Sequence, residues 1–393
     1  MVSVKSTRAD LGRFVRRTTK TLGLQVEGPV LALHGRPEGA RTVDRERSRD
    51  AEPSRPVLPR SHPLLEVAPI RYPETWVQRH QGLKVYGPTI SVVDANDRLL
   101  ADVSVEWGRK TEENWTFRRF HLPNPKRVTG RTLVLASTGG NTYFHWITDI
   151  LPRIRLAREA GYLPGSFDHI LVNGLDQPFQ EGTLETLGIP KDKCLVFAEG
   201  ESAWQLEEAI LPSLPGVPGV VPRESVDFLR RELAAPQSGA SRRIFIGRGG
   251  AKHRNLVHEE EISRELGKKG FEKVDCGNLS VLEQARIFAS ADMIVGAHGA
   301  ALTNLVFCRP GTRVIELFSP RYVNPCYRDL CVAAGLSYAA VIGDGKDWDL
   351  STRHDEPSAP ITASWELVEE TLDAVIGSRG SVFGHWMAEG GCL

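Results

Sequence analysis

A chain of 393 residues, 41% hydrophobic and 25% charged, has the length and composition of a globular protein of two or three domains, so general disorder is excluded. Lysine and arginine (49) balance aspartate and glutamate (49), and the resulting net charge of zero lacks the basic excess of a non-specific nucleic-acid binder. The six cysteines form no C-x-x-C pair, no signal peptide is in view, and no apolar run approaches the roughly 20 residues that span a bilayer. The expectation is a reduced, cytoplasmic protein, at most resting on the inner face of a membrane.

Residues 1–60 stand apart, with 13 Lys/Arg against 7 Asp/Glu. They are expected as a basic, disordered or loosely packed extension. Within it Leu11, Phe14 and Val15 lie among Arg8, Arg13, Arg16, Arg17 and Lys20. Such a short amphipathic stretch suits peripheral contact with anionic lipid, at ~1 kcal/mol per surface cation.

An α/β domain is expected over 61–222, with folded texture from about residue 83. Thr89–Val93 and Leu99–Val105 flank Asp94-Ala95-Asn96-Asp97 as a hairpin. A strand at Arg131–Ala136 leads through Gly139-Gly140-Asn141 into a helical pattern reaching Ala160. Strands at His169–Val172 and Cys194–Phe197 enclose a helix near Gln180–Leu187. Four prolines and two glycines between Leu211 and Pro222 mark the interdomain connection. After a helix at Arg223–Leu233, a second α/β series fills 223–393. It has strands at Arg243–Gly247, Phe271–Asp275, Met293–Gly296 and Arg313–Leu317, helices at His258–Lys269, Val281–Ala289 and Ala300–Phe307, and a final helix at Trp365–Ile376. Strands alternating with helices of this length predict parallel sheets with helices on both faces, and ligands at the carboxyl ends of the strands.

Chemistry-bearing residues fall where strands give way to loops. Gly296-Ala297-His298-Gly299 ends an apolar strand and opens a helix, so small residues and free N–H groups can receive a diphosphate while His298 donates a hydrogen bond. Glu316, at the end of the next strand, can accept hydrogen bonds from sugar hydroxyls. Arg248 and Arg254, six apart in a Gly-containing loop, can clamp a diphosphate; the loop is neither a Walker A motif nor G-x-G-x-x-G. In the first half, Asn141, His145, Asp149 and Arg153 recur at spacing four, a polar stripe among Trp146, Ile147 and Ile150. That stripe reads either as an acceptor-side group with His145 or Asp149 as general base, or as a structural network pairing Asp149 with Arg153. Pro152 should kink or restart the helix. Asp347-Trp348-Asp349 is read as an incidental match to a metal-diphosphate motif, and no metal is expected.

Together the blocks Asn141–Arg153, Arg248–Asn255, Leu279–Gln284 and Gly296–Leu317 resemble glycosyltransferase family 61, which includes capsular-polysaccharide enzymes and eukaryotic O-linked sugar transferases. The resemblance covers about residues 83–345, with Ala301 standing where the family often has glycine. It implies a GT-B-like fold of two Rossmann-like domains with a cleft between them. The implied reaction is inverting transfer, without a cofactor, from a nucleoside diphosphate sugar to a hydroxyl of a glycan or lipid-linked glycan, in capsular or cell-surface polysaccharide synthesis. It places Arg248, Arg254, His298, Gly299, Asn304 and Glu316 at the donor, and His145 and Asp149 at the acceptor with Asn141 and Arg153 in support. The alternatives are a nucleotide-sugar epimerase or hydrolase, and a non-catalytic nucleotide-sugar-binding protein.

Overall fold

The computed structural model describes residues 31–44, 47–49, 65, 70–119, 121–197, 202–233, 241–344 and 356–377. The basic stretch around Phe14 and the Asp347/Asp349 pair lie outside the described residues. The chain divides into two compact units, Met1–Ser48 with Arg71–Val221 and Arg49–Ile70 with Pro222–Leu393. Among the described residues no helix is long and apolar enough to cross a membrane.

In the first unit, β1 (Leu31–Leu33), β2 (Arg41–Asp44), β5 (Thr75–Tyr86), β6 (Ser91–Val93), β7 (Arg98–Leu100), β8 (Lys126–Val134), β9 (His169–Leu171), β10 (Cys194–Leu195) and β11 (Ala203–Pro212) form one nine-stranded sheet. Two short strands, β3 (Arg47–Arg49) and β4 (Ile70–Tyr72), pair separately. Leu31–Leu33 and Arg41–Asp44, expected within a loose extension, are strands, because β1 finds an edge on β7 and β2 finds one on β5. The hairpin around Asp94–Asp97 is present as β6 and β7, with the Asp94 carboxylate accepting from the N–H groups of Asn96 and Arg98. The longest strands, β5 and β11, lie antiparallel from Ala203 opposite Tyr86 to Pro212 opposite Val77, and neither is marked by a clean apolar alternation. β11, β8, β9 and β10 run parallel. Val85, Val134, Leu171, Leu206 and Leu211 fill the core on this sheet, each contributing about 1.5–3 kcal/mol by full burial.

The second unit carries an all-parallel five-stranded sheet of β12 (Arg242–Ile246), β13 (Phe271–Lys273), β14 (Ala291–Ala297), β15 (Arg313–Phe318) and β16 (Ser337–Ile342). Both faces are covered, so β15 is buried along its whole length. Local signals start and stop the crossovers. Ser280 and Glu283 form a reciprocal cap on helix Val281–Ser290, three glutamates open helix Glu259–Lys268, and Gly335 ends helix Cys326–Ala334 in the left-handed conformation. That last helix and β16 complete the series after Leu317. The strand order β13-β12-β14-β15-β16 adds one strand on one side of β12 and then the rest on the other. The crossovers therefore diverge between β12 and β14, and sheets of this topology hold their ligand crevice at the carboxyl ends of two such strands. Ile246 and Ala297 are the last residues of the two strands, so the loops beginning at Gly247 and His298 flank that position.

Candidate functional site

In the second unit, sheet register brings three polar side chains to one face. Gly296, Glu316 and Ala340 lie side by side across β14, β15 and β16. Side chains repeat every two residues along a strand, so His298, two beyond Gly296, and Tyr338, two before Ala340, share the face of Glu316. The absent Cβ of Gly296 makes room for Leu302 of the following turn. His298 Nδ1 meets Glu316 Oε1 at 2.5 Å, and the Tyr338 hydroxyl donates to Glu316 Oε2 at 2.6 Å. Burial, reinforced by the Glu316 charge, holds the Tyr338 phenol well above its ordinary pKa, so it stays a neutral donor. The His298 ring stacks on Phe318 at 5.0 Å and is edged by Tyr322. With Nδ1 committed to the carboxylate, Nε2 is the nitrogen left to meet a ligand.

Glu316 is wholly buried and both its oxygens are engaged, so the expectation that it accepts sugar hydroxyls is corrected: it orients His298. Asn304 is corrected likewise. It is buried in the 3₁₀ turn Ala300–Phe307, and its amide donates to Gln284 Oε1 at 2.6 Å and to the Ala301 carbonyl at 2.9 Å. It joins that turn to helix Val281–Ser290 rather than facing a ligand.

Arg248 and Arg254 do converge beside His298. The Glu259 carboxylate accepts the Arg248 N–H at 2.7 Å, fixing the start of the loop. The Arg248 guanidinium donates to the His253 carbonyl at 2.7 Å and lies against Gly299, where a Cβ would overlap it. Arg254 donates to the His298 carbonyl at 3.2 Å and the Pro357 carbonyl at 2.8 Å, and stacks over Tyr322 at 5.3 Å. Its φ of +55° is a left-handed conformation that costs a non-glycine residue free energy, as is common where a side chain must be aimed. Burial and the neighbouring Arg254 charge lower the Arg248 pKa. Both guanidiniums hydrogen-bond to carbonyls, and the Glu259 carboxylate acts on Arg248 as a nearby charge. Two such cations at the carboxyl end of a sheet favour an anion with several oxygens.

In the first unit the polar stripe breaks. The helix starts at Tyr143, leaving Asn141 outside it, with its Oδ1 accepting from Gln180 Nε2 at 3.2 Å. Pro152 cannot donate an N–H, and the preceding turn widens over Trp146–Ile150, with the Leu151 N–H reaching the Trp146 carbonyl at 3.0 Å. Arg153 is thereby turned into the core. It donates to the carbonyls of Leu135, Ala136 and Pro212, bracing β8 against β11, and burial lowers its pKa to about 9. An acceptor-side role does not hold for it, and Asp149 acts on it as a nearby charge that partly offsets the burial. His145 and Asp149 remain together, with Nδ1 to Oδ2 at 2.7 Å, both mostly shielded from solvent. Trp107, to which the sequence drew no attention, stacks on His145 at 4.3 Å. Gly139, at φ +78°, makes room for that ring, since a Cβ there would overlap Trp107. Trp107, Tyr322 and Tyr338 were missed because each reaches its histidine, arginine or glutamate only through tertiary placement.

The family model of glycosyltransferase 61 matches residues 143–315, a span that opens two residues before His145 and closes one before Glu316. The segment 143–315 belongs to glycosyltransferase family 61. Its similarity to the Arabidopsis thaliana Beta-1,2-xylosyltransferase is 30% identity over 162 residues, 37% of this chain and 27% of that protein. The EGF domain-specific O-linked N-acetylglucosamine transferase of Drosophila melanogaster is 28% identical over 118 residues, 28% of this chain and 22% of that protein. Beta-1,2-xylosyltransferase RCN11 of Oryza sativa subsp. japonica is 36% identical over 64 residues, 16% and 12% of the two chains. The matches thus span about a quarter or less of these relatives. The family 61 segment contains His145, Asp149, Arg248, Arg254 and His298.

Proposed function

We propose that the chain is an inverting glycosyltransferase that moves a sugar from a nucleoside diphosphate donor to a hydroxyl of a glycan or lipid-linked glycan. The observation that carries this reading is the Arg248–Arg254–His298 cluster at the divergence point of the five-stranded sheet, within a family 61 segment. Arg248 and Arg254 bind the diphosphate and neutralise the charge that grows on it as the bond to the anomeric carbon breaks. His298, oriented by Glu316, donates through Nε2 to a phosphate or sugar oxygen. His145 takes the proton of the attacking hydroxyl on Nε2, because Asp149 holds its Nδ1 and favours the imidazolium that results. This assigns the base to His145 and orientation to Asp149. The GT-B arrangement and a role in capsular or cell-surface polysaccharide synthesis belong to the same proposal. So does reaction without a divalent cation, whose charge the two guanidiniums replace.

A thermal-shift screen of nucleoside diphosphates and their sugars tests the donor assignment, since a ligand at 100 times its Kd adds ~2.7 kcal/mol of stability. Arg254→Ala and His298→Ala should weaken nucleotide binding and remove turnover, and EDTA should leave wild-type turnover intact. Unchanged nucleotide affinity in both variants refutes the donor site. Activity lost to EDTA and restored by manganese refutes the metal-free step. Rapid donor epimerisation or hydrolysis without acceptor would replace the transferase with an epimerase or hydrolase.

A further inference from the structure

Trp107 is 48% exposed, a large apolar surface to leave in water, yet its position is held closely. The Glu106 carboxylate beside it accepts the Trp115 N–H at 2.7 Å and lies 3.4 Å from Arg109 Nε. The Thr138 hydroxyl sits against the carbonyls of Thr89 and Val105, joining the Trp107 loop to the turn containing Gly139. One side of the indole stacks on His145, 4.3 Å between centroids and inclined by 29°. Gly139 supplies the space for this contact through an absent Cβ and a left-handed φ. An exposed aromatic ring fixed on both flanks and laid on a histidine–carboxylate pair has the features of a preorganised binding surface.

We propose that Trp107 is an acceptor-binding residue, its open surface receiving a pyranose ring of the acceptor glycan next to the sugar that presents the attacking hydroxyl. The indole face is the negative side of its quadrupole, and a pyranose has a face of C–H groups with hydroxyls at its rim. Stacking the two buries apolar area while the rim stays free for hydrogen bonds. His145 lies against the other side of the indole at 4.3 Å, so the stacked ring anchors the acceptor while the neighbouring sugar of the glycan reaches His145 around the indole edge. A serine or threonine side chain offers no comparable face, and an acyl chain offers no hydroxyl rim. The inference rests on the transferase reading and on His145 as its base.

Saturation-transfer NMR on the full chain, with uridine, guanosine and thymidine diphosphates present, tests this with methyl pyranosides of glucose, galactose, mannose and xylose. Wild type should transfer saturation to ring protons of at least one pyranoside. Trp107→Ala should weaken that affinity about tenfold, the equivalent of 1.4 kcal/mol, and Trp107→Phe should retain most of it. Equal affinity in wild type and Trp107→Ala overturns the proposal, as does an absence of pyranoside binding by wild type. Nucleoside diphosphate binding, followed in the same samples, reports separately on the donor reading and should be the same in all three proteins.

Discussion

Two histidines in this chain share one chemical arrangement. In each, Nδ1 faces a carboxylate, at 2.7 Å for His145 and 2.5 Å for His298, and Nε2 is left for the ligand. Their surroundings separate their tasks. His298 is edged by guanidiniums that suit a leaving diphosphate, whereas His145 lies under an indole with carboxylate support alone. His145→Ala should therefore lower kcat by about 10²–10⁴-fold. Asp149→Asn, which keeps the shape but removes the charge, should fall between it and wild type, with nucleotide affinity unchanged in both; steady-state kinetics that show wild-type kcat for His145→Ala would remove it as base. A third histidine bears on stability instead. Burial lowers the His80 pKa to about 4, below its unfolded value of 6.5. Its neutral form is favoured in the fold, so the contribution is complete above pH 6.5 and is lost as pH falls toward 4. Allowing for its partial exposure, wild type should lose about 2 kcal/mol more than His80→Gln between about pH 7 and about pH 4.5 in urea unfolding. Parallel losses would show that His80 is already screened by water.

Loops rather than helices and strands decide the shape of both candidate sites, and two glycines show how. Gly299 has φ 174°, extended backbone open to any residue, so Gly299→Ala carries no conformational strain. Its new methyl would overlap the Arg248 guanidinium. The variant should keep its melting temperature and lose nucleotide affinity. Gly139, at φ +78°, is strained by any side chain as well as crowded by Trp107. Gly139→Ala should cost about 1 kcal/mol or more of stability and weaken pyranoside binding. Calorimetry paired with titration separates the two variants, and equal loss of stability in both would contradict this distinction. At the same scale, the second unit was legible because buried apolar runs such as Met293–Ala297 alternate with capped amphipathic helices. β5 and β11 were not. Thr75–Tyr86 and Ala203–Pro212 carry Arg79, His80, Lys84, Glu207 and Glu208 within them, and pairing along their length makes them strands. The continuous helix read from Asn141 to Ala160 failed at Pro152, where the missing N–H widened the turn before it.

Each unit has its own core. Phe245, Val295, Ile315 and Val341 lie at the centre of one, and Val85, Val134, Leu206 and Leu211 in the other. The candidate donor residues all belong to the second unit, and His145, Asp149 and Trp107 to the first. Hydrogen exchange of the whole chain should therefore show nucleoside diphosphate protecting Gly247–Asn255 and Ala297–Asn304, with little change over Gly139–Asp149. Protection concentrated in the first unit would reverse the assignment of donor and acceptor sides. The measurement reads the molecule as two binding surfaces, a property no single substitution tests.

By itself the sequence determined the alternation of strands and helices, the Pro/Gly connection near residue 222, the family 61 resemblance and the positions of the loop cations and histidines. These are local properties, set by periodicity, turn residues and short motifs. Tertiary structure decided which of the polar residues are closed off by partners. Glu316 and Asn304 are closed off by partners 22 and 20 positions away in the chain, Tyr338 and Gln284, and Arg153 is drawn inward by the carbonyls of Leu135, Ala136 and Pro212. A buried polar group must satisfy its hydrogen bonds wherever packing places its partners, and that placement is written in sheet register rather than in sequence spacing.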